Sequence, residues 1–290
     1  ADDIDGQKGN DNIDGGDGND KINGGLGNDT IAGGDGFDTA VFSNKNNKID
    51  LAKTGKQNTK DGKDILKSIE NVEAGGGNDV VSGNQEVNIL NGEAGNDNLK
   101  GQAGDDYLNG GVGNDIIHGG KGIDTAVFGE VNNVINLNKK GKQNTKEGKD
   151  KLISIENIDA GAGNDKVTGN KGKNVLKGEE GKDSLTGMNG NDQLFGGLGN
   201  DTLIGGNGKD TLNGGSGEDC FLIAKGAGFD VIMDFTDGFD KIQLGSGKTG
   251  IKLKAKGDDV WIYQGKDLMA KVEDLSKSDL TQKGKYFYWS

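Results

Sequence analysis

The sequence predicts an all-β fold: a parallel β-roll solenoid made of three nonapeptide arrays, separated by two homologous insertions and closed by a C-terminal β-rich cap. Three observations carry that prediction. Aspartate recurs every nine residues, one apolar residue follows each aspartate by two places, and glycines hold fixed positions ahead of it.

In the first array Asp2, Asp11, Asp20, Asp29 and Asp38 are followed by Ile4, Ile13, Ile22, Ile31 and Ala40. Complete units such as Gly15-Gly16-Asp17-Gly18-Asn19-Asp20-Lys21-Ile22 read G-G-x-G-x-D-x-U-x, with U aliphatic. The register returns at Asp79, Asn88, Asp97, Asp106, Asp115 and Asp124, with Val81, Leu90, Leu99, Leu108 and Ile117 in the apolar place. It returns again at Asp165 and runs through Asn174, Asp183, Asp192, Asp201, Asp210 and Asp219 to Phe221.

A longer repeat of 86 residues lies over the short one: Asp38-Thr39-Ala40-Val41-Phe42 recurs as Asp124-Thr125-Ala126-Val127-Phe128, and Ser68-Ile69-Glu70-Asn71 as Ser154-Ile155-Glu156-Asn157. From Asp38 to Glu70 is 32 residues, not a multiple of nine, so each insertion breaks phase and is expected to separate successive rolls. Residues 1–41, 69–125 and 155–222 are read as rolls, 42–68 and 126–154 as insertions, and 223–290 as the cap. In the cap, Val231-Ile232-Met233-Asp234-Phe235, Lys241-Ile242-Gln243-Leu244, Ile251-Lys252-Leu253 and Val260-Trp261-Ile262-Tyr263 alternate as strands do.

Composition says what such a fold needs. Of 290 residues 56 are glycine and only 30% are hydrophobic, so a thick core is out of reach. One buried aliphatic side chain per nine residues offsets only part of the entropy lost in ordering them. The net charge of −13 argues against nucleic acid and for cations. Cys220 is the only cysteine, which removes intramolecular disulfides and Cys-rich zinc sites as stabilisers and leaves a free thiol, with a dimerising thiol as the alternative. No apolar run is long enough for a membrane span, and no N-terminal signal segment is visible. Ala1 begins in mid-repeat, so the chain is expected to be the C-terminal part of something longer.

The turn chemistry points to Ca2+. Calcium takes about six to eight hard oxygen ligands, mixing carboxylates with backbone carbonyls. Glycines permit a tight turn whose carbonyls face a common centre, and aspartate supplies the anionic oxygen. The expected ligands in the first array are Asp11, Asp20, Asp29 and Asp38 with Gly16, Gly18, Gly25, Gly27, Gly34 and Gly36. In the second they are Asp79, Asp97, Asp106, Asp115 and Asp124 with Gly95, Gly104, Gly111, Gly113, Gly120 and Gly122. In the third they are Asp165, Asp183, Asp192, Asp201, Asp210 and Asp219 with Gly181, Gly190, Gly197, Gly199, Gly206, Gly208, Gly215 and Gly217. Several ions are implied, and the metal-free chain is expected to be largely disordered.

These arrays resemble the RTX, or repeats-in-toxin, family, and Gly228-Phe229-Asp230-Val231-Ile232-Met233-Asp234-Phe235 followed by Gly238-Phe239-Asp240-Lys241-Ile242 is similar to that family's post-repeat capping motif. The resemblance implies two nonapeptides per coil of a parallel β-roll, with calcium held between turns stacked on one side. It also implies export by a type I secretion apparatus that reads an uncleaved C-terminal signal, hence a secreted or cell-surface bacterial protein. Some turns depart from the pattern. Asn88 and Asn174 replace the aspartate, Ala74 and Ala160 the first glycine, and Gln7, Asn84, Glu93, Gln102, Asn170, Glu179 and Met188 the second. The turns before Asn88 and Asn174 are the weakest expected sites.

Other features read as structural. The lysines of the insertions, Lys56, Lys60 and Lys63 with their copies Lys142, Lys146 and Lys149, suit solvated loops, with contact to a cell-surface polysaccharide as the alternative. His118 is expected on the surface, Cys220 facing outward, and Trp261, Tyr263, Tyr286, Tyr288 and Trp289 buried in the cap rather than forming a glycan-stacking face. Gly245-Ser246-Gly247-Lys248-Thr249 lacks the first glycine of a phosphate loop. The single histidine rules out H-E-x-x-H and no G-x-S-x-G occurs, so no catalytic residue is assigned. The expected role is a folding and structural module of a larger protein; the alternatives are the non-catalytic tail of a secreted protease, lipase or epimerase, or an adhesin or surface-layer module.

Overall fold

The computed structural model describes residues 1–223, 228–235, 239–245, 251–275, 280–283 and 286–289. Gly238 of the expected capping motif, Ser246, Gly247, Lys248 and Thr249 of the glycine-lysine string, and the side chains of Tyr288 and Trp289 lie outside the described residues. The described residues contain strands and turns and no helix, so none is long and apolar enough to cross a membrane. Two compact units form: residues 1–128 with 139–155, and residues 129–138 with 156–290.

Some nonapeptides end in a three-residue strand that buries only its central residue, as Lys21–Asn23 buries Ile22 between exposed Lys21 and half-buried Asn23; others end in a six-residue strand, as Thr30–Asp35, that buries one aliphatic residue and a glycine. Three residues of alternating direction can present only one side chain inward. Strands pair in parallel with the strand 18 residues on, Ile4 with Ile22 and Ile13 with Ile31, so two nonapeptides make one coil and successive strands take opposite sides. In the first unit one side stacks Ile22, Ala40, Val72, Leu90 and Leu108. In the second unit the two rows are Ile158, Leu176, Leu194, Leu212 and Ile232, and Ile135, Val167, Leu185, Leu203, Phe221 and Ile242. All these side chains are buried, so the core is two rows deep.

The first insertion does not part the roll as its length suggests. On one side Thr39–Val41 pairs directly with Asn71–Glu73 across it. On the other side the sheet is cut. Thr30–Asp35 pairs with Lys63–Lys67, which turns back antiparallel onto Gln57–Asn58, whereas Lys48–Asp50 starts a new sheet against Val80–Ser82. Gln57 spans the seam, its Oε1 accepting the Asp50 N–H at 2.7 Å. The physical reason is that the register persists one unit further than the aspartates do: Asn47 and Ile49 stand nine after Asp38 and Ala40, and Ile49 is buried like any core residue.

At its far end the solenoid exchanges parallel for antiparallel pairing. Asp230–Ile232 pairs with Asp267–Val272, the last strand of a meander with Asp259–Gln264 and Ile251–Lys256. Lys241–Leu244 is covered by the antiparallel strands Tyr286–Trp289 and Leu280–Lys283. Two expectations fail here. Cys220, next to inward Phe221, is buried rather than exposed, with Sγ 3.9 Å from Gln243 Oε1 of the paired strand. Trp261 and Tyr263 are half-buried, because Val260 and Ile262 take the inward positions; the two rings stack at 6.4 Å beneath Lys256 and Lys254.

The first glycine is a packing requirement in units such as the one that begins at Gly92. A Cβ on Gly92 would lie 2.6 Å from Asp97 Oδ2 and 2.8 Å from the carbonyl of Gly110, one coil on. Gly92→Ala is therefore expected to lower stability in calcium by about 1–3 kcal/mol through overpacking. Gly55→Ala, where a Cβ meets nothing within 4 Å, is expected to stay within about 0.5 kcal/mol. Denaturant unfolding of both variants checks the contrast.

Candidate metal-binding turns

Aspartate, not the aliphatic residue, locks one coil to the next. The backbone N–H of Asp20 donates to Asp38 Oδ1 at 2.8 Å, that of Asp79 to Asp97 Oδ1 at 2.7 Å, and that of Asp97 to Asp115 Oδ1 at 2.7 Å. The second unit repeats the ladder: Asp183 to Asp201 at 2.7 Å and Asp201 to Asp219 at 2.8 Å. All the expected aspartates but Asp11 are buried, and Asp11 is half-buried.

The ladder uses one carboxylate oxygen. The other, Oδ2, is buried without a hydrogen-bond partner in Asp20, Asp29, Asp38, Asp79, Asp97, Asp106 and Asp115, and again in Asp183, Asp192, Asp201 and Asp219. A buried anionic oxygen left unmatched is costly, and stacked rows of them are costlier. Burial, partly offset by the ladder N–H, pushes Asp79, Asp115 and Asp201 up to about 7, and Asp97, Asp106, Asp192 and Asp219 up to about 6. Neighbouring carboxylates add to the rise: Asp97 acts on Asp79, and both Asp183 and Asp219 act on Asp201.

The glycines shape the rest of the turn. Every glycine expected as a ligand has φ between +74° and +158°, where a side chain is strained. Of the second-position substitutes, Gln7, Glu93, Gln102, Glu179 and Met188 accept the same strain at φ 66–85°, which keeps the turn shape. Asn84 and Asn170 do not. Their N–H groups donate to Asn88 and Asn174 Oδ1 at 2.8 Å, and the Asn88 and Asn174 amides donate to the carbonyls of Glu70 and Glu156 at 2.9 and 2.6 Å. These two turns are closed by their own amides.

Sequence reading overlooked four ladder residues. Asn47 and Asn133 donate their N–H groups to Asp79 and Asp165 Oδ1 at 2.5 and 2.6 Å, and Asp64 and Asp150 accept from Asp29 and Asp115 at 2.8 Å. The nine-residue step from Asp38 to Asn47 and from Asp124 to Asn133 was the available signal. Asp64 and Asp150 differ from the array aspartates because Thr59 and Thr145 hydroxyls donate to their Oδ2 atoms. His118 is half-buried on its strand, and the six lysines singled out in the insertions are exposed.

Among the described residues no three Asp, Glu, His or Cys side chains converge as a metal cluster. A cation held here must therefore draw most of its ligands from carbonyls, with one or two carboxylates, a donor set of hard oxygens that suits calcium. The model of the RTX calcium-binding nonapeptide repeat matches residues 1–40, 68–99, 91–126, 154–185 and 186–219, more than half of the chain. The chain belongs to that family. RTX repeats are typical of secreted bacterial proteins, and calcium is the family's ion. Among solved structures, the extracellular lipase LipA from Serratia marcescens is similar at 20% identity and a TM-score of 0.33, over 74% of this chain and 42% of the lipase. The chain thus spans less than half of that lipase's length. No curated protein matches it in sequence.

The raised carboxylates set the pH dependence of the RTX turns. From the ordinary value of 3.8 up to about 7, the metal-free fold binds more protons than the unfolded chain, so it loses stability as pH rises through that window. Calcium must displace those protons, so its apparent affinity is expected to climb over the same range and level off above it. Calcium titrations at pH about 5.5 and about 7.5 should show weaker binding at the lower pH, with β content in chelator changing in the opposite sense.

Proposed function

We propose that this chain is an extracellular calcium-loaded RTX module that folds on binding Ca2+ after type I secretion and acts as a structural part of a larger secreted or surface protein. The observation that carries this is the row of buried Oδ2 atoms without partners, beside turns whose glycines take left-handed φ.

In this reading Asp20, Asp38, Asp79, Asp97, Asp115, Asp183, Asp201 and their repeats supply carboxylate oxygen, and the left-handed glycines of the same turns supply carbonyls. The stacked carboxylates repel one another, and a bound ion would supply the counter-charge they lack. The chain's own residues do the rest: Oδ1 fixes the coil spacing through the ladder, and the aliphatic rows exclude water beneath it. Extracellular calcium modules bind at about 10⁻⁴–10⁻³ M, well above cytosolic calcium, so an unfolded chain can traverse an export channel and fold outside. No residue is assigned a catalytic role.

Circular dichroism of metal-free protein titrated with calcium, with magnesium as control, tests the reading. A cooperative gain of β signal with calcium alone is expected, because magnesium demands near-ideal octahedral geometry and releases its water reluctantly. A full β spectrum in chelator, unchanged by calcium, would defeat it.

A further inference from the structure

Resting on the calcium reading, we infer that Asn47 and Asn133 occupy two cation positions with their own amide groups, so that the coil beginning at each insertion is organised without calcium. Asn47 Nδ2 lies within hydrogen-bond distance of three carbonyls, those of Ser43 at 3.0 Å, Lys45 at 2.6 Å and Ala74 at 2.9 Å, which share its two hydrogens. Asn133 repeats the arrangement within its own unit, with Gly129 at 3.3 Å, Val131 at 2.8 Å and Ala160 at 3.0 Å. Both asparagines are buried.

The three carbonyls are not arbitrary. Counted from the aspartate position, they come from four and two residues earlier in the same turn and from the first glycine position of the coil stacked on it. For Asp20 the equivalents are Gly16, Gly18 and Gly33, the first two in the left-handed region. Three carbonyl oxygens pointed at one place can be satisfied only by a donor or a cation, which fixes the amide with nitrogen toward them. Asparagine has the shape of aspartate and keeps the ladder N–H, yet brings hydrogens where aspartate needs an ion.

An independent observation at the same seams agrees. The Oδ2 atoms of Asp64 and Asp150, unmatched in array aspartates, accept hydroxyls from Thr59 and Thr145. Each insertion therefore pairs an amide that meets carbonyls with a hydroxyl that meets a carboxylate.

Asn47→Asp, Asn133→Asp and the double variant test this by counting ions per chain in native mass spectrometry at saturating calcium, with folding followed by circular dichroism. The expected result is one additional ion in each single variant and two in the double. Folded variants with the wild-type count would overturn the inference. Calcium-edge anomalous diffraction on the loaded wild-type protein decides it without any substitution: ions in aspartate turns but none within the Asn47 and Asn133 turns support the assignment, and an ion there refutes it. A wild-type chain that binds no calcium anywhere would instead bring down the calcium reading itself.

Discussion

A backbone N–H that donates to an aspartate oxygen one coil further along is the contact on which the rest of this molecule depends. In most folds a buried carboxylate is tolerated because a cationic side chain meets it. Here the meeting group is the backbone itself, repeated at 2.7–3.0 Å through the second array and again through the third. That bond spaces the coils, and it also leaves the second carboxylate oxygen inside the turn. The same side chain that joins the coils creates the need for a counter-charge, so assembly and ion dependence arise from one residue type.

The consequences spread outward from that oxygen. Where the first residue of a unit is glycine and its sixth is aspartate, Asp Oδ2 lies against that glycine, as at Gly92, and a carbonyl from the coil before lies against the fourth, as that of Gly9 lies against Gly27. With side chains excluded from the turns, burial is confined to one aliphatic residue per strand, and the core is two rows rather than a volume. The cap then solves a separate problem. A parallel stack ends in an open edge of N–H and C=O groups; Tyr286–Trp289 occupies the Lys241–Leu244 edge antiparallel, and Asp267–Val272 the Asp230–Ile232 edge in parallel.

Much of this was legible in the order of residues. Asp, Gly and the aliphatic position each have one physical role and recur without competition, so fold and candidate ligands follow from spacing. The insertions resisted reading because their contacts are non-local: Gln57 reaching Asp50, or Thr59 capping Asp64 against Asp29, leaves no periodic mark. Asn47 was in phase but lacked the aspartate that marked its neighbours, and so passed for loop. Cys220 and Trp261 were misjudged for another reason. Alternation says which residues share a face, but which face is covered depends on the strand that packs there.

The pairing of two nonapeptides per coil gives the chain a parity. Ile22 and Ile31 are one unit apart in sequence and lie on opposite sides of the roll; Ile22 and Ala40, two units apart, lie on the same side. Removing a single nonapeptide would send every later unit to the other side, exchanging which outward residues each side displays, the exposed Ile89 and Tyr107 among them. Removing two would keep every later unit on its own side. Length variation in such a molecule is therefore quantised in whole coils, and a surface feature on one side can be kept through duplication only when units are gained or lost in even numbers.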